Sequence, residues 1–137
     1  MTFSSAPDTK PLPHREFFDL QPLLASADWQ VVPSRSGRIE ELTLRDSFDA
    51  ERRTGSRTLL ARWSPGAWLD RAVVHDFCEE VYLLQGDLVV GCDAQGQGGE
   101  TFSAPTYACR PPGAVHGPFL SRGGCLMLEI QYHEVTP

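Results

Sequence analysis

Lysine is nearly absent from this chain: of its twelve basic residues only Lys10 is one, and the eleven arginines are scattered among eighteen acids. The net charge of −6 and pI near 5.1 argue against a nucleic-acid partner, because such proteins gather Lys and Arg on one face. Long apolar runs are missing as well. No stretch approaches the roughly 20 residues that span a bilayer as a helix, and Met1 to Pro13 lacks the basic start and apolar core of a signal peptide. A cytoplasmic protein with no membrane partner is the expectation. There is no Cys-x-x-Cys pair either: Cys78, Cys92, Cys109 and Cys125 are widely spaced, which favours reduced, mostly buried thiols over a disulfide framework.

What is present is a succession of short, β-prone segments separated by turn chemistry. At 137 residues the chain has the length of one domain with a real core. Residues 1–27 are expected to form an N-terminal arm, disordered at first and then carrying at most a short helix capped by Asp19. From residue 28 to residue 137 strand signals dominate. Val31-Val32 ends at Pro33, and Ile39 to Leu44 follows the turn at Ser34 to Gly37. Arg57 to Trp63 alternates like a half-buried strand and turns at Ser64-Pro65-Gly66 into Trp68 to His75. Glu79 to Gln85 and Leu88 to Cys92 read as a hairpin turning at Gly86, with a mobile tip over Asp93 to Gly99. Strands at 101–103, 106–110, 116–120 and 125–135 complete an all-β antiparallel double sheet or barrel.

Two clusters stand out against this background. His75-x3-Glu79-x6-Gly86 and Pro111-x-Gly113-x-x-His116 read as two hairpins of one small barrel delivering metal-ligand side chains to a shared interior, since residues two apart on a strand share a face and a Pro-Gly turn can present a His at a strand start. Of the adjacent acids Glu79 and Glu80 only one can point inward. Placing Glu79 inside puts Val81 and Leu83 in the barrel and Glu80 and Tyr82 on the opposite face. On the last strand, Glu129, Gln131 and His133 share a face with Met127. If that face lines the cavity, Glu129 and Gln131 can act in acid–base or orienting roles. Arg62 and Tyr107 precede the two clusters and are candidates to reach a substrate from the barrel mouth. His14 and His133 are assigned to the surface, and Trp29, Trp63 and Trp68 to core or interface.

These two clusters resemble the two motifs of the cupin superfamily over roughly Arg57 to Val135. The resemblance implies the cupin jelly roll, a homodimer, and a site built from His75, Glu79 and His116. It departs from the family pattern at Val73, where a first His would stand, at Pro105 in place of a Gly, and at Leu120 in place of an Asn. Two imidazoles and one carboxylate are the set that leaves positions open on non-haem iron. The expected function is that of a small metal-dependent enzyme, foremost an oxygenase, acting on a small oxygen-bearing substrate. The expected cofactor is a divalent transition metal, iron first, with manganese, nickel or zinc as alternatives. Retention of the acid and loss of a His disfavour the three-His thiol dioxygenases. The same loss leaves open a metal-free dehydratase, isomerase or cyclase working through His, Tyr107 or Glu129. A non-enzymatic ligand- or metal-sensing cupin is a third reading, disfavoured because the first 30 residues lack an amphipathic helix for a partner.

Overall fold

The structure is a computed structural model and describes residues 12–134; the expectation of a disordered segment at the very start of the chain lies outside them. Nine strands and one short helix follow in order: α1 (Gln21–Leu24), β1 (Gln30–Val32), β2 (Ile39–Asp46), β3 (Ser56–Trp63), β4 (Ala67–Leu69), β5 (Cys78–Val90), β6 (Glu100–Ser103), β7 (Thr106–Arg110), β8 (Phe119–Ser121) and β9 (Cys125–Tyr132). All pairings are antiparallel. One sheet runs β1-β2-β3-β9-β5-β7 and the other β4-β8-β5-β6, so β5 belongs to both. The two sheets curl over one another as a jelly roll, the architecture expected from the sequence. No helix of the described residues is long and apolar enough to cross a membrane.

The hairpin expected at Gly86 is absent; β5 runs through it for 13 residues. The reason lies in the neighbouring turn. Gly86 has φ +84°, and a Cβ there would stand 2.0 Å from the carbonyl oxygen of Gly124. The register on β9 shifts between Leu83 and Gln85. The residue thus serves as a bulge that turns one strand from the first sheet into the second rather than as a reversal of the chain. Its left-handed φ is the common signal of both, which is why the sequence suggested a turn.

Alternation then divides each strand between two apolar layers. Ile39, Leu59, Ala61, Trp63, Val81, Leu83 and Met127 point between the sheets and form the main core. Leu42, Leu60 and Trp29 form a second cluster on the outer face, covered by Leu23 and Leu24 of α1. The register decision on the acids is borne out: Glu79 is 6% exposed, while Tyr82 on the other face is 40% exposed. Two further segments are shorter than expected. After Leu69 the chain leaves the sheet, and residues 70–77 are pinned by a mutual backbone pair between Val73 and His116 and by the Gly113 N–H donated to the His75 carbonyl. Gly117-Pro118 breaks the strand expected to start at His116, because proline has no N–H for the ladder.

Candidate metal centre

His75, Glu79 and His116 come together at one wall of a cavity of about 260 Å³ between the sheets. The two motifs meet because their backbones are bonded to each other: the Pro111–Gly113 turn grips His75, and the Val73–His116 pair grips the segment before it. The His75 Nε2 and His116 Nε2 atoms each lie 3.7 Å from a different oxygen of Glu79. The three ligand atoms all fall within 4.8 Å of one another.

The tautomers follow from the second nitrogen of each ring. His75 Nδ1 lies 3.3 Å from the Phe77 carbonyl and His116 Nδ1 lies 3.0 Å from the Ala114 carbonyl. A carbonyl can only accept, so each Nδ1 carries a hydrogen, and in the neutral form of the rings each Nε2 turns a lone pair toward Glu79. Burial, reinforced by the nearby Arg110 and His75, lowers the His116 pKa below the usual imidazole value, against the opposing pull of the Ala114 carbonyl and Glu79. Phe77 adds a second restraint by stacking on His75 at 4.0 Å. Three acceptors facing one another with no hydrogen between them are the donor set of a cation. The edges of a coordination shell at normal bond lengths are about 3–3.5 Å, a short side-chain movement away.

Glu79 is oriented by a row of polar side chains that crosses four strands. Arg57 on β3 pairs with Gln131 on β9, Gln131 with Glu79 on β5, and Glu79 with Arg110 on β7. Their side chains repeat that order. The Arg57 Nε donates to Gln131 Oε1, the Gln131 Nε2 donates to Glu79 Oε2 at 2.8 Å, and the Arg110 Nη1 donates to Glu79 Oε1 at 3.1 Å. Arg57 in turn lies over the rings of Phe48 and Phe77. Gln131 therefore has one orientation, set by an Arg on its oxygen. Replacing it with leucine is expected to weaken metal binding by about 10- to 100-fold while the protein stays folded, as measured by competition against a chromophoric chelator.

The sequence expectations divide at this cavity. His75, Glu79, His116, Glu129 and Gln131 all line it. Glu129 is half-buried, and its carboxyl is pushed up to about 8 by burial and then by the charges of Glu79 and Glu41. Arg62 and Tyr107 do not belong to it. Arg62 lies on the outer face of β3, bonded to Glu40 and stacked on Trp29. Strand alternation puts it opposite the inward Ala61 and Trp63. Tyr107 is half exposed on the outer face of β7, where it donates to Glu80 and packs on Tyr82. His133 is not a free surface residue either: its ring stacks on Phe48 and its Nε2 is buried without a partner.

Sequence reasoning missed Arg57, Arg110, Arg71 and Glu41, which line or support the cavity. Arg57 shares parity with the inward Leu59, Ala61 and Trp63, so that signal was present; the pairing that unites it with Gln131 and Glu79 is not encoded locally. Val73, in place of a His, lines the same wall. No other His, Cys, Asp or Glu completes the set among the described residues. Gln131 does not compensate as a ligand, since its amide oxygen, the atom that could bind a metal, accepts from Arg57 while its nitrogen donates to Glu79. The four cysteines are free, with Cys109 exposed and the others buried.

The curled double sheet, with a His, a Glu and a His converging on its interior, has the cupin jelly-roll fold. No protein-family model matches the sequence, and no curated protein is similar to it. Among solved structures it is similar to an acetylacetone dioxygenase from Acinetobacter johnsonii, at TM-score 0.64 and 19% identity over 96% of this chain and 80% of that one. It is also similar to an RmlC-like cupin from Shewanella frigidimarina, at TM-score 0.60 and 15% identity over 90% and 94% of the two chains. A cupin superfamily protein from Desulfitobacterium hafniense matches at TM-score 0.58 and 17% identity, over 92% and 98%.

Proposed function

We propose that the protein is a metal-dependent cupin enzyme in which His75, Glu79 and His116 hold a divalent transition metal, iron foremost, for oxygenation of a small chelating substrate such as an enol or diketone. The observation that carries the reading is the pair of Nδ1–H groups tied to backbone carbonyls, which leaves both Nε2 lone pairs aimed at one carboxylate. The likeness to an acetylacetone dioxygenase supports it at the level of fold. With three protein ligands, a bound ion would keep positions for substrate and dioxygen and polarise the substrate's oxygens.

The chain's own residues supply the rest. Gln131 and Arg110 hold Glu79 from either side, which fixes the orientation of the carboxylate. The Arg110 guanidinium also lines the cavity, placed to offset negative charge on an enolate. Val73, Val81, Leu88 and Phe119 give the cavity apolar walls, which limit water around the reacting atoms. In the test, protein loaded anaerobically with Fe(II) is mixed with a panel of β-diketones and enols in an oxygen electrode. Oxygen uptake that follows substrate loss and stops on chelation supports the proposal; turnover that survives chelation overturns it.

A second reading has one specific observation in its favour. Glu79 already accepts from Arg110 and Gln131, so the carboxylate is satisfied without an ion and the two imidazoles could act as acid–base groups on an isomerase or dehydratase substrate. Chelation separates the two.

A further inference from the structure

Two acids of the cavity have no task in this account. Glu41 on β2 and Glu129 on β9 both line it, and neither makes a hydrogen bond or an ion pair among the described residues. Both side chains are only partly buried, so their oxygens keep their hydrogen-bonding capacity for whatever enters the cavity. Arg57 acts on both, and Arg110 on Glu129, through charge alone, without a hydrogen bond or ion pair. Ala61 and Leu59, the β3 residues between them, offer no polar atom, and Val32, Ile39 and Met127 stand nearby on the same lining. Part of the Glu129 surface remains accessible, and with the residue in the lining that surface faces the cavity.

Resting on the metal-centre reading, we propose that Glu41 and Glu129 form a second subsite that binds a hydroxyl group of the substrate, at the end of the molecule remote from its chelating oxygens. The register sets the distance. Glu79 and Gln131 are cross-strand partners, and Glu129 lies two residues along β9 from Gln131, which corresponds to about 7 Å along the strand. A compact carbon skeleton of one ring or its open-chain equivalent bridges that span, and the apolar walls between accommodate it.

A hydroxyl fits better than an ammonium group. It donates to a carboxylate and accepts from a carboxylic acid, so it satisfies these side chains in either state. An ammonium would enter a cavity that already carries Arg71 and Arg110, with Arg57 behind Gln131 and a divalent ion at one wall. Like charge in so confined a space opposes it.

The test uses Zn(II)-loaded protein, which is redox-silent, and two matched chelators, kojic acid and allomaltol. They present the same hydroxypyranone oxygens to the metal and differ by one remote hydroxyl. Calorimetric titration is expected to show kojic acid binding roughly tenfold more tightly, in line with one well-made hydrogen bond to a carboxyl. In Glu129→Ala and, independently, in Glu41→Ala, which is the less buried position, the ratio is expected to fall below about twofold while allomaltol affinity holds. Zinc uptake with equal affinities for the two chelators in the parent protein, or a ratio unchanged in both variants, overturns the subsite alone. Absence of zinc uptake overturns the metal centre and the subsite with it.

Discussion

Replacing Glu79 with alanine is expected to abolish metal uptake and also to destabilise the metal-free protein by about 3 kcal/mol. The two effects have different origins. Metal binding fails because the carboxylate is the anionic member of the triad, and two imidazoles alone leave a dication poorly compensated. Stability falls because Arg110 and Gln131 both donate to this residue from a mostly buried position, and removing the acceptor strands a guanidinium and an amide away from water. His116→Ala makes the contrast: it should remove the metal while leaving the Arg57-Gln131-Glu79-Arg110 row intact, so its metal-free stability should change less. Chemical denaturation of both variants, with metal content measured in parallel, checks the pair. Equal stability of Glu79→Ala and the parent would contradict the role assigned to the row.

Gly86→Ala is expected to cost at least about 3 kcal/mol, roughly 10 °C in melting temperature. Part of this is the left-handed backbone, worth about 1–2 kcal/mol for a residue with a Cβ. The larger part is collision: the added carbon would stand 2.0 Å from the Gly124 carbonyl oxygen and 2.8 Å from the Cys125 Cα, and both belong to the backbone of the neighbouring turn and strand. Neither can rotate away, so β5 and β9 must separate where β5 passes between sheets. Gly66→Ala is the control. It has a similar φ of +81° with nothing within 4 Å of the added carbon, so it should show the backbone cost alone. Equal melting temperatures for the two variants would remove the packing argument.

The parts of this protein that were legible in its sequence are those governed by short-range periodicity. Alternation on β3, β5 and β9 identified the inward faces, and it chose correctly between Glu79 and Glu80. The motif spacing brought His75, Glu79 and His116 together before any coordinates. What alternation cannot supply is which strands are neighbours. Arg57 and Gln131 are 74 residues apart in sequence yet share a hydrogen bond, and Glu41 enters the cavity only because β2 lies beside β3 in the sheet. The misplacement of Arg62 and Tyr107 came from reasoning by proximity to the motifs along the chain, whereas strand parity sends both outward. Gly86 was read as a reversal because a left-handed glycine serves turns and bulges alike.

The row that crosses β3, β9, β5 and β7 also accounts for the sensitivity expected at sites that never touch substrate. Gln131 and Glu79, its inner members, each have one hydrogen-bond partner on each side, and the order of donors and acceptors can be written in only one direction from Arg57 to Glu79. Gln131→Leu and Glu79→Ala therefore act on one unit, and their effects on the stability of the metal-free protein should not add.

Whether His75, Glu79 and His116 form a metal site is decided by elemental analysis of untagged, chelator-free protein beside the His75→Ala, His116→Ala double variant, before and after reconstitution with Fe(II). Close to one equivalent of transition metal per chain is expected in the parent and none retained by the variant. A parent that takes up no metal under reconstitution, or a variant that retains it, would mean that these residues do not hold an ion.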